Sequence, residues 1–404
     1  MQGGRFWMAA SVALAALLVV GSALVTDAPA SGSGVPAPGQ VVARLDRGTL
    51  SYPEPLRAAL AAQRAAPDDV ALARDAARML IDTGRARGSS RLVGAAIGVL
   101  RPFMATGDAQ VLYLAAIARQ YQHDFPGALT LLDRAAALDG RDVNILLNRA
   151  TIRTVLGDYD AARADCQAIN ALSQPAVAFL CQATTHTLTA EGPVFRARLE
   201  GILAEPGLLD PSLHPWAMGL VGEIARHIGD LPAAEAAFRA VLQATPDAQR
   251  EALLLADLLL ARGDAAGAGA VLADSPDTDG VLIRRQRIAA ALGLTDEATA
   301  LAATLDTRFR LNLDLGLTAH AREETMYFLD IAGDPALALA RAQVNWALQH
   351  EIEDAELLLR AARAAGEPDA AQPASDWMAQ AGVVPPRDST LSGAPGETRA
   401  IPAP

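Results

Sequence analysis

The sequence predicts an all-α protein in which about nine helix–turn–helix units stack as an α-solenoid. Glycine recurs at intervals near 34 residues between segments of helical apolar periodicity, and alanine follows most of these turn positions by five residues. The 404-residue chain is also 51% hydrophobic but only 4% aromatic. An Ala/Leu-rich core with few rings suits close-packed helices better than a β-sandwich, which favours β-branched and aromatic residues.

The amino terminus is predicted to direct the chain out of the cytoplasm. Residues 8–25 carry no charge, follow Arg5 and would span about 27 Å as a helix, just short of a bilayer core of roughly 30 Å. Two interpretations stay open: a secretory signal cleaved near residues 28–30, or an uncleaved anchor with its amino end inside. Both place the remaining chain in a bacterial periplasm, either soluble or anchored to the inner membrane by residues 8–25.

The predicted segments of the chain follow its composition. A Ser/Gly/Pro-rich stretch after the apolar amino terminus is expected to be a flexible linker, and the proline-rich carboxyl end is expected to be disordered. A lone helix that ends before Pro67 is expected to cap the repeats. In order, the segments are the signal or anchor at 1–25, the linker at 26–44, the capping helix at 45–69, the solenoid at 70–382 and the tail at 383–404.

The turn positions set the period of the repeat. Two pairs of neighbouring turns are 34 residues apart, and the other intervals run from 30 to 40 residues. The predicted turn positions are Gly84, His123, Gly157, Gly192, Gly229, Gly263, Gly293, Gly333 and Gly366. The alanines five residues later are Ala128, Ala162, Ala197, Ala234, Ala268, Ala298, Ala338 and Ala371. The long spacing around residues 294–318 indicates a lengthened hairpin or loop.

The best-preserved unit lies at residues 216–246, where IGDL at 228–231 joins two apolar-periodic helices. Glycine permits a positive φ where the first helix ends, and the following aspartate is able to cap the second helix. NRA at 148–150 followed by GDY at 157–159 has the same form. These motifs resemble the 34-residue tetratricopeptide repeat. The resemblance covers about residues 70–366 and implies a right-handed superhelix whose first helices line a concave groove that binds peptides or proteins.

The resemblance also implies which side chains face that groove. The inward positions of the first helices carry polar groups of both signs, and the Asn/Lys/Arg clamp for a peptide carboxylate is not reproduced. As a set they mark where a ligand would bind, although each one singly also fits a solvated helix face. These residues are Asn144, Asn148, Thr151, Glu223, Arg226, His227, Asp257, Arg284, Arg287, Tyr327 and Asp330.

The two cysteines lie on neighbouring units. Cys166 is predicted on the second helix of one unit, and Cys181 on the first helix of the next, which packs against it. In an oxidising compartment this pair is able to form a disulfide between adjacent hairpins. Two small buried thiols in an Ala-rich core are the alternative, and the sequence leaves both open.

Charge and motifs argue against other classes of function. The formal net charge is −12, and no dense run of basic residues suggests a nucleic-acid site. The six histidines lack metal-binding spacing, and no phosphate-binding loop, dinucleotide fingerprint or nucleophile elbow occurs. We therefore expect no enzyme, no cofactor and no metal site. The adjacent Glu323 and Glu324 are interpreted as surface charge.

The functional hypothesis is a protein- or peptide-binding scaffold in the bacterial cell envelope. Its concave groove would order a segment of the partner at low entropic cost to itself, and a role as an assembly factor is one specific version. The alternative is a structural or self-oligomerising solenoid with no dedicated peptide ligand. In that case the groove would be filled by the protein's own tail or by a second copy.

Overall fold

The computed structural model describes residues 52–87 and 89–383. The predicted signal or anchor at 1–25, the linker at 26–44 and residues 384–404 of the tail lie outside the described residues. Within the described ranges, no helix is both long enough and apolar enough to cross a membrane.

The described residues form nineteen α-helices and three short 3-10 segments, with one isolated bridge between Thr189 and Val383 as the extended pairing among them. The helices are α1 Glu54–Ala65, α2 Val70–Ala86, α3 Ser90–Leu100, α4 Ala109–Tyr121, α5 Phe125–Leu138, α6 Val143–Val155, α7 Tyr159–Ala171, α8 Pro175–His186, α9 Gly192–Ala204, α10 His214–His227, α11 Leu231–Ala244, α12 Gln249–Ala261, α13 Ala265–Val271, α14 Asp279–Ala291, α15 Thr295–Asp314, α16 Ala321–Asp330, α17 Pro335–Trp346, α18 Ile352–Ala364 and α19 Gln372–Gln380.

After the lone α1, the helices of the described chain pair as nine hairpins, from α2–α3 to α18–α19, and each hairpin packs on its neighbours. The all-α solenoid of about nine repeats is thus confirmed. The right-handed sense of the superhelix stays a prediction.

The turns inside the hairpins have the predicted chemistry. Gly229, between α10 and α11, has a φ of 83°, and the side chain of Asp230 accepts a hydrogen bond from the Ala233 N–H. His123 takes the glycine's place between α4 and α5 and adopts a left-handed φ of 60°. The aspartates that cap second helices in this way are Asp124, Asp158, Asp230, Asp264 and Asp334.

Small residues allow the two helices of a hairpin to approach closely. A Cβ atom added at Gly222 would lie 2.6 Å from Phe238 Cε1, so only glycine fits at this contact between α10 and α11. Of the eight marker alanines, only Ala197 is exposed. The buried ones are Ala128, Ala162, Ala234, Ala268, Ala298, Ala338 and Ala371.

Two of the predicted turn glycines lie inside helices instead. Gly84 is buried within α2, where an added Cβ would lie 2.6 Å from Val93 Cγ2. It serves a close helix–helix contact, while α2 continues to Ala86. Gly192 begins α9 because Pro193, which follows it, suits the first turn of a helix and lacks only an N–H that has no partner there.

The interpretation of Glu323 and Glu324 as surface charge is wrong. Their side chains point to different sides of α16, but α14, α17 and α18 cover that helix, and both residues are buried. Glu324 Oε2 accepts a hydrogen bond from Arg341 Nε at 2.5 Å, whereas Glu323 Oε2 has no hydrogen-bond partner among the described residues. Residues 294–318, predicted to be lengthened, contain the 20-residue helix α15.

The array of hairpins curves so that the last hairpin, α18–α19, contacts the third hairpin, α6–α7. His350, which precedes α18, donates its backbone N–H to the Val155 carbonyl at 2.7 Å. The His350 ring Nδ1 lies 2.9 Å from the carbonyl oxygen of Leu156. These bonds join residues almost two hundred positions apart at the turn between α6 and α7.

Two apolar contacts extend this closure. Trp377 on α19 packs against Tyr159 on α7, with ring centroids 6.2 Å apart. Val383, predicted to begin a disordered tail, is buried and bridges to Thr189 after α8. The concave groove predicted from the sequence is therefore closed by the protein's own last hairpin.

Candidate ligand-binding chamber

A chamber of about 170 Å³ lies where the start of α18 meets the first helices of four earlier hairpins. Its walls come from α6, α8, α10 and α12, with further residues from α11. The first helices converge as the sequence predicts, but on a partly enclosed space rather than on an open groove. The lining of the chamber includes Thr151, Trp216, Glu223, Arg226, Glu251 and Glu353.

Helix α10 forms the central wall because its lining residues are three or four positions apart and so share one face. Gly219 allows α12 to approach this wall closely, since a Cβ added there would lie only 3.2 Å from Glu251 Oε1. The residues that α10 contributes are Pro215, Trp216, Gly219, Leu220, Glu223 and Arg226.

Two ion pairs cross the chamber wall. Arg250 of α12 makes a bidentate contact with Glu223, in which Nε donates to Oε1 at 3.1 Å and Nη2 to Oε2 at 3.0 Å. Arg226 donates from Nη2 to Oε1 of Glu353 on α18. Burial alone would raise the pKa of Glu353, but Arg226 and its neighbouring arginines hold it at about 2. Glu353 is therefore ionised at neutral pH and ties α18 to α10.

Glu251 lacks such a partner. It lies at the start of α12 and is 6% exposed, yet its Oε2 makes no hydrogen bond in the structure. Burial, reinforced by the nearby Glu223, raises the pKa of Glu251. Trp216 Nε1 and Arg226 Nε are also buried without hydrogen-bond partners. Three residues of the chamber lining thus hold a buried polar atom without a hydrogen bond, one acceptor and two donors.

Threonine hydroxyls add further acceptors. Thr151 donates its hydroxyl hydrogen to the Leu147 carbonyl at 2.9 Å, and Thr184 donates to the Leu180 carbonyl at 3.0 Å. A hydroxyl whose hydrogen is already used still has lone pairs. These groups can therefore accept a hydrogen bond from a ligand while their methyl groups keep the wall partly apolar.

The structure brings three of the predicted groove residues together in the chamber, namely Thr151, Glu223 and Arg226. Asn144 and Asn148 do not line it. Asn148 is buried and donates from Nδ2 to the Asn144 carbonyl at 2.9 Å and to the Tyr113 hydroxyl at 3.2 Å. Its amide supports packing between α4 and α6 instead of facing a groove.

The other predicted groove residues lie outside the chamber. Asp257 is engaged by two arginines of α14, and its Oδ2 accepts from Arg284 Nε at 3.0 Å while Oδ1 accepts from Arg287 Nη1 at 3.4 Å. An open-groove position is wrong for His227 and Tyr327, because both are buried.

Tyr327 and Asp330, the last two predicted groove residues, each contact a neighbouring hairpin. The hydroxyl of Tyr327 donates to Asp306 Oδ1 at 3.2 Å, which links α16 to α15. Asp330 accepts from Arg360 Nη2, which links the end of α16 to α18. Both side chains serve contacts between neighbouring hairpins.

Sequence reasoning missed Arg250, Glu251 and the acidic wall from α18. The signal available was the acidic run EIEDAE at 351–356. Its carboxylates pair with inner arginines of other helices, for example Glu353 with Arg226, and Asp354 Oδ1 with Arg322 Nε at 2.7 Å. Charge complementarity between this run and the inner arginines would have indicated that it docks there.

Cys166 and Cys181 form a disulfide in the structure, with Cα atoms 5.5 Å apart. Cys166 is on α7 and Cys181 on α8, so the bond joins two neighbouring hairpins. Of the two alternatives left open by the sequence, the structure has the bridge. The bond therefore fixes α8, whose threonines line the chamber, to α7.

No protein-family model matches this chain, and no curated protein matches it. Several solved structures are similar. A tetratricopeptide repeat protein from Parabacteroides merdae is 17% identical, with 58% of this chain and 91% of that chain covered and a TM-score of 0.38. Human IFIT1, solved as a dimer with PPP-AAAA, is 13% identical, with coverages of 77% and 71% and a TM-score of 0.42.

Yeast Tom70 is 11% identical, with coverages of 80% and 84% and a TM-score of 0.29. The TM-scores of all three structures are below 0.5. We therefore take no functional argument from them. The assignment of the fold depends on the hairpins, turns and caps of this chain itself.

Proposed function

We propose that this tetratricopeptide-like solenoid is a protein- or peptide-binding scaffold of the bacterial cell envelope, and that it holds a short part of its partner in the chamber. The observation that carries the proposal is the set of buried polar atoms without partners on α10 and α12. Buried polar groups in proteins nearly always have partners, so such a cluster in a cavity favours a ligand site.

The size of the chamber limits what it accepts. A space of about 170 Å³ is comparable to cavities that hold one small ring compound. It suits a side chain or a chain end of the partner, and it excludes a helix or a long extended segment. The remaining contacts of the partner would lie on the solenoid surface around the chamber entrance.

Two features support a location in the periplasm, either soluble or anchored by residues 8–25. The amino-terminal pattern is that of an export signal or anchor. The Cys166–Cys181 disulfide is of the kind that persists in oxidising compartments and is rare in the cytosol. An assembly factor for an envelope complex is one role that fits this location.

The proposal is tested by plugging the chamber. Gly219→Met places a flexible side chain against Glu251, and Gly201→Met is the matched control because nothing lies within 4 Å of a Cβ at Gly201 on α9. Both variants and the natural protein are used to capture partners from envelope extracts. Circular dichroism and thermal unfolding establish that each variant is folded.

We expect Gly219→Met to lose the partners that the natural protein and Gly201→Met both retain. If a folded Gly219→Met protein captures the same partners at the same yield, the chamber does not hold the partner. Arg284→Ala with Arg287→Ala is a second control. These arginines lie outside the chamber and bind Asp257, so their loss should leave capture unchanged.

One observation favours the alternative of a self-occupied solenoid. Val383 is the last described residue, and it is buried beside Thr189, close to the end of α8, whose threonines line the chamber. Deletion of residues 384–404 distinguishes the two functions. A change in the number of chains per particle in solution would support self-association. An unchanged oligomeric state together with unchanged partner capture would favour the scaffold.

A further inference from the structure

Four carboxylates line the chamber, and all but Glu251 have an arginine partner. Within the described residues Glu251 forms no ion pair, and its Oε2 has no hydrogen bond although the residue is 6% exposed. Glu251 is thus the carboxylate of the lining that no arginine pairs directly. The three paired carboxylates are Glu223 with Arg250, Glu353 with Arg226 and Glu351 with Arg322.

A buried carboxylate oxygen without a hydrogen bond is costly, because it has lost water and gained no donor in exchange. A ligand that brings a cationic N–H donor to Glu251 Oε2 would remove this cost. Glu251 lies among the residues that line the chamber, and Gly219 lets α10 approach it closely, since a Cβ there would lie only 3.2 Å from Oε1. The position of Glu251 in the chamber lining and the missing hydrogen bond at its Oε2 both favour a ligand at this point.

Three threonine hydroxyls of the lining also favour a donor. Thr151, Thr154 and Thr184 line the chamber with hydroxyl hydrogens already donated to carbonyls of their own helices, at 2.9, 2.9 and 3.0 Å. They can only accept from a ligand. A compact ammonium group has three N–H donors that can reach acceptors on different walls, whereas a planar guanidinium fork suits a single carboxylate.

The charge of the lining disfavours an anion. Four glutamates and two arginines line the chamber, which is an excess of two acidic side chains. A carboxylate or phosphate would meet Glu251 at short range. Apolar groups complete the lining, among them Val155, Leu220 and Ile352, and these suit a short hydrocarbon stem.

We propose that the chamber binds a primary ammonium group on a short apolar stem, and that Glu251 receives the ammonium. This inference deepens the proposed function and rests on it where the partner is a protein. In a protein partner the group is a lysine side chain or a free amino terminus. A small alkylamine presents the same chemistry without a polypeptide.

The test uses the intact chain and n-butylammonium, which reproduces the end of a lysine side chain. Butan-1-ol and butanoate have similar stems with a neutral or an anionic head. Isothermal titration calorimetry near neutral pH measures the affinity of all three. We expect butylammonium to bind at least about tenfold more tightly than either analogue. Equal binding of butylammonium and butan-1-ol would overturn the proposal.

Substitution of Glu251 identifies the receiving group. Glu251→Gln keeps the shape of the side chain and removes its charge, so butylammonium affinity should fall at least about tenfold. Glu297→Gln is the control, because Glu297 is exposed on α15 and does not line the chamber, and this variant should bind butylammonium as the natural protein does. Undiminished binding by a folded Glu251→Gln protein would also overturn the proposal.

Two further probes separate the sources of the ammonium. N-acetyl-lysine methylamide carries it on a side chain, and leucine amide carries it at an amino terminus. Tighter binding of the first identifies a lysine, tighter binding of the second identifies a chain end, and binding of butylammonium alone identifies a small amine.

The same experiments separate this inference from the proposed function. If Gly219→Met abolishes partner capture while Glu251→Gln retains the partner and butylammonium does not bind, the scaffold stands and the ammonium site is wrong. If butylammonium binds through Glu251 while Gly219→Met captures all partners, the ammonium site stands and the scaffold function of the chamber is wrong.

Discussion

At the scale of single residues, buried glutamates show how strongly position changes the chemistry of one residue type. Burial raises the pKa of Glu323 on α16 to about 8. Burial acts in the same direction on Glu353, but the arginines around it outweigh that effect and hold its pKa at about 2. One group therefore carries a proton at neutral pH and the other a charge, although both lie on inner helices of the array.

We expect Glu323→Gln to stabilise the protein at high pH. The folded-state pKa of about 8 exceeds the ordinary value of 4.5, so the folded state binds the proton more tightly. Stability from this group is complete below pH 4.5 and is lost as the pH rises towards 8. The neutral amide should raise the free energy of unfolding at pH 8 by about 1–3 kcal/mol.

Urea denaturation at pH 8 and at pH 4.5 measures this effect, with Glu297→Gln as the control on the exposed face of α15. The gain should be present at the higher pH and nearly absent at the lower one. A gain of equal size at both would mean that the proton on Glu323 is not its cause.

Part of the site could be predicted residue by residue. Glu223 and Arg226 were predictable because they are three positions apart on the inner face of a helix with a clear turn. Glu251 was not, because its role depends on the absence of a side chain at Gly219 and on the pairing of Arg250 with Glu223. These are contacts between helices, and helical periodicity does not contain them.

At the scale of helices and turns, the glycine–aspartate pair fixes where each hairpin reverses. Gly229→Ala should lower the free energy of unfolding by about 1–2 kcal/mol, because the φ of 83° is in the left-handed region that disfavours a Cβ. Gly98→Ala on α3 should raise it by up to about 1 kcal/mol. Nothing lies within 4 Å of a Cβ there, so only the helix propensity changes.

Chemical denaturation of the two alanine variants provides the comparison. A lower free energy of unfolding in both Gly229→Ala and Gly98→Ala would indicate that an added methyl group disturbs packing at either position. Opposite signs are the result expected if backbone conformation at the turn is the cause.

The disulfide between α7 and α8 is the other determinant at this scale. Cys166→Ala combined with Cys181→Ala should lower the free energy of unfolding by about 3 kcal/mol, the value expected for closing a loop of 15 residues. A reducing agent should destabilise the natural protein by the same amount and leave the double variant unchanged. Titration of two free thiols in the unreduced, denatured protein would contradict this.

Hairpins with glycine–aspartate turns were predictable from the sequence, and those around Gly84 and Gly192 were not. At Gly192 the regular spacing suggested a turn, but Pro193 places it in the first turn of α9. At Gly84 the close approach of Val93 requires a glycine inside a helix. The same residue type therefore serves turns, helix starts and helix contacts, and spacing alone does not separate these uses.

At the scale of the whole molecule, closure of the array joins residues that repeat spacing keeps far apart. Arg226→Ala should lower the free energy of unfolding by about 3 kcal/mol, since it removes the partner of a largely buried carboxylate, Glu353. It should also speed hydrogen exchange of the amides at the start of α18. Arg239→Ala removes an exposed pair with Glu235 and should cost at most about 1 kcal/mol.

Hydrogen exchange read by mass spectrometry checks this prediction. Protection that falls evenly along the whole chain in Arg226→Ala would argue for general destabilisation. Protection that falls at α18 and around Val155, which accepts from His350, would locate the effect at the closure.

The sequence could predict which hairpins stack, because each repeat contacts its neighbours through a local pattern. It could not predict closure, because the meeting of α18 with α6 depends on small rotations added over many repeats. The degenerate unit around α8 and α9 and the 20-residue α15 both alter that sum. An open groove was therefore the natural expectation, and a chamber is what the accumulated curvature produces.

The contribution of α18 to the chamber also has a temporal consequence. Ribosomal synthesis proceeds from the amino end, so α6, α8, α10 and α12 exist long before the segment that completes their inner surface. A chain interrupted before Glu351 would have most of the repeats and none of the α18 wall. Binding competence would then arise only with the last hairpin, so that incomplete chains cannot compete with finished protein for the same partner.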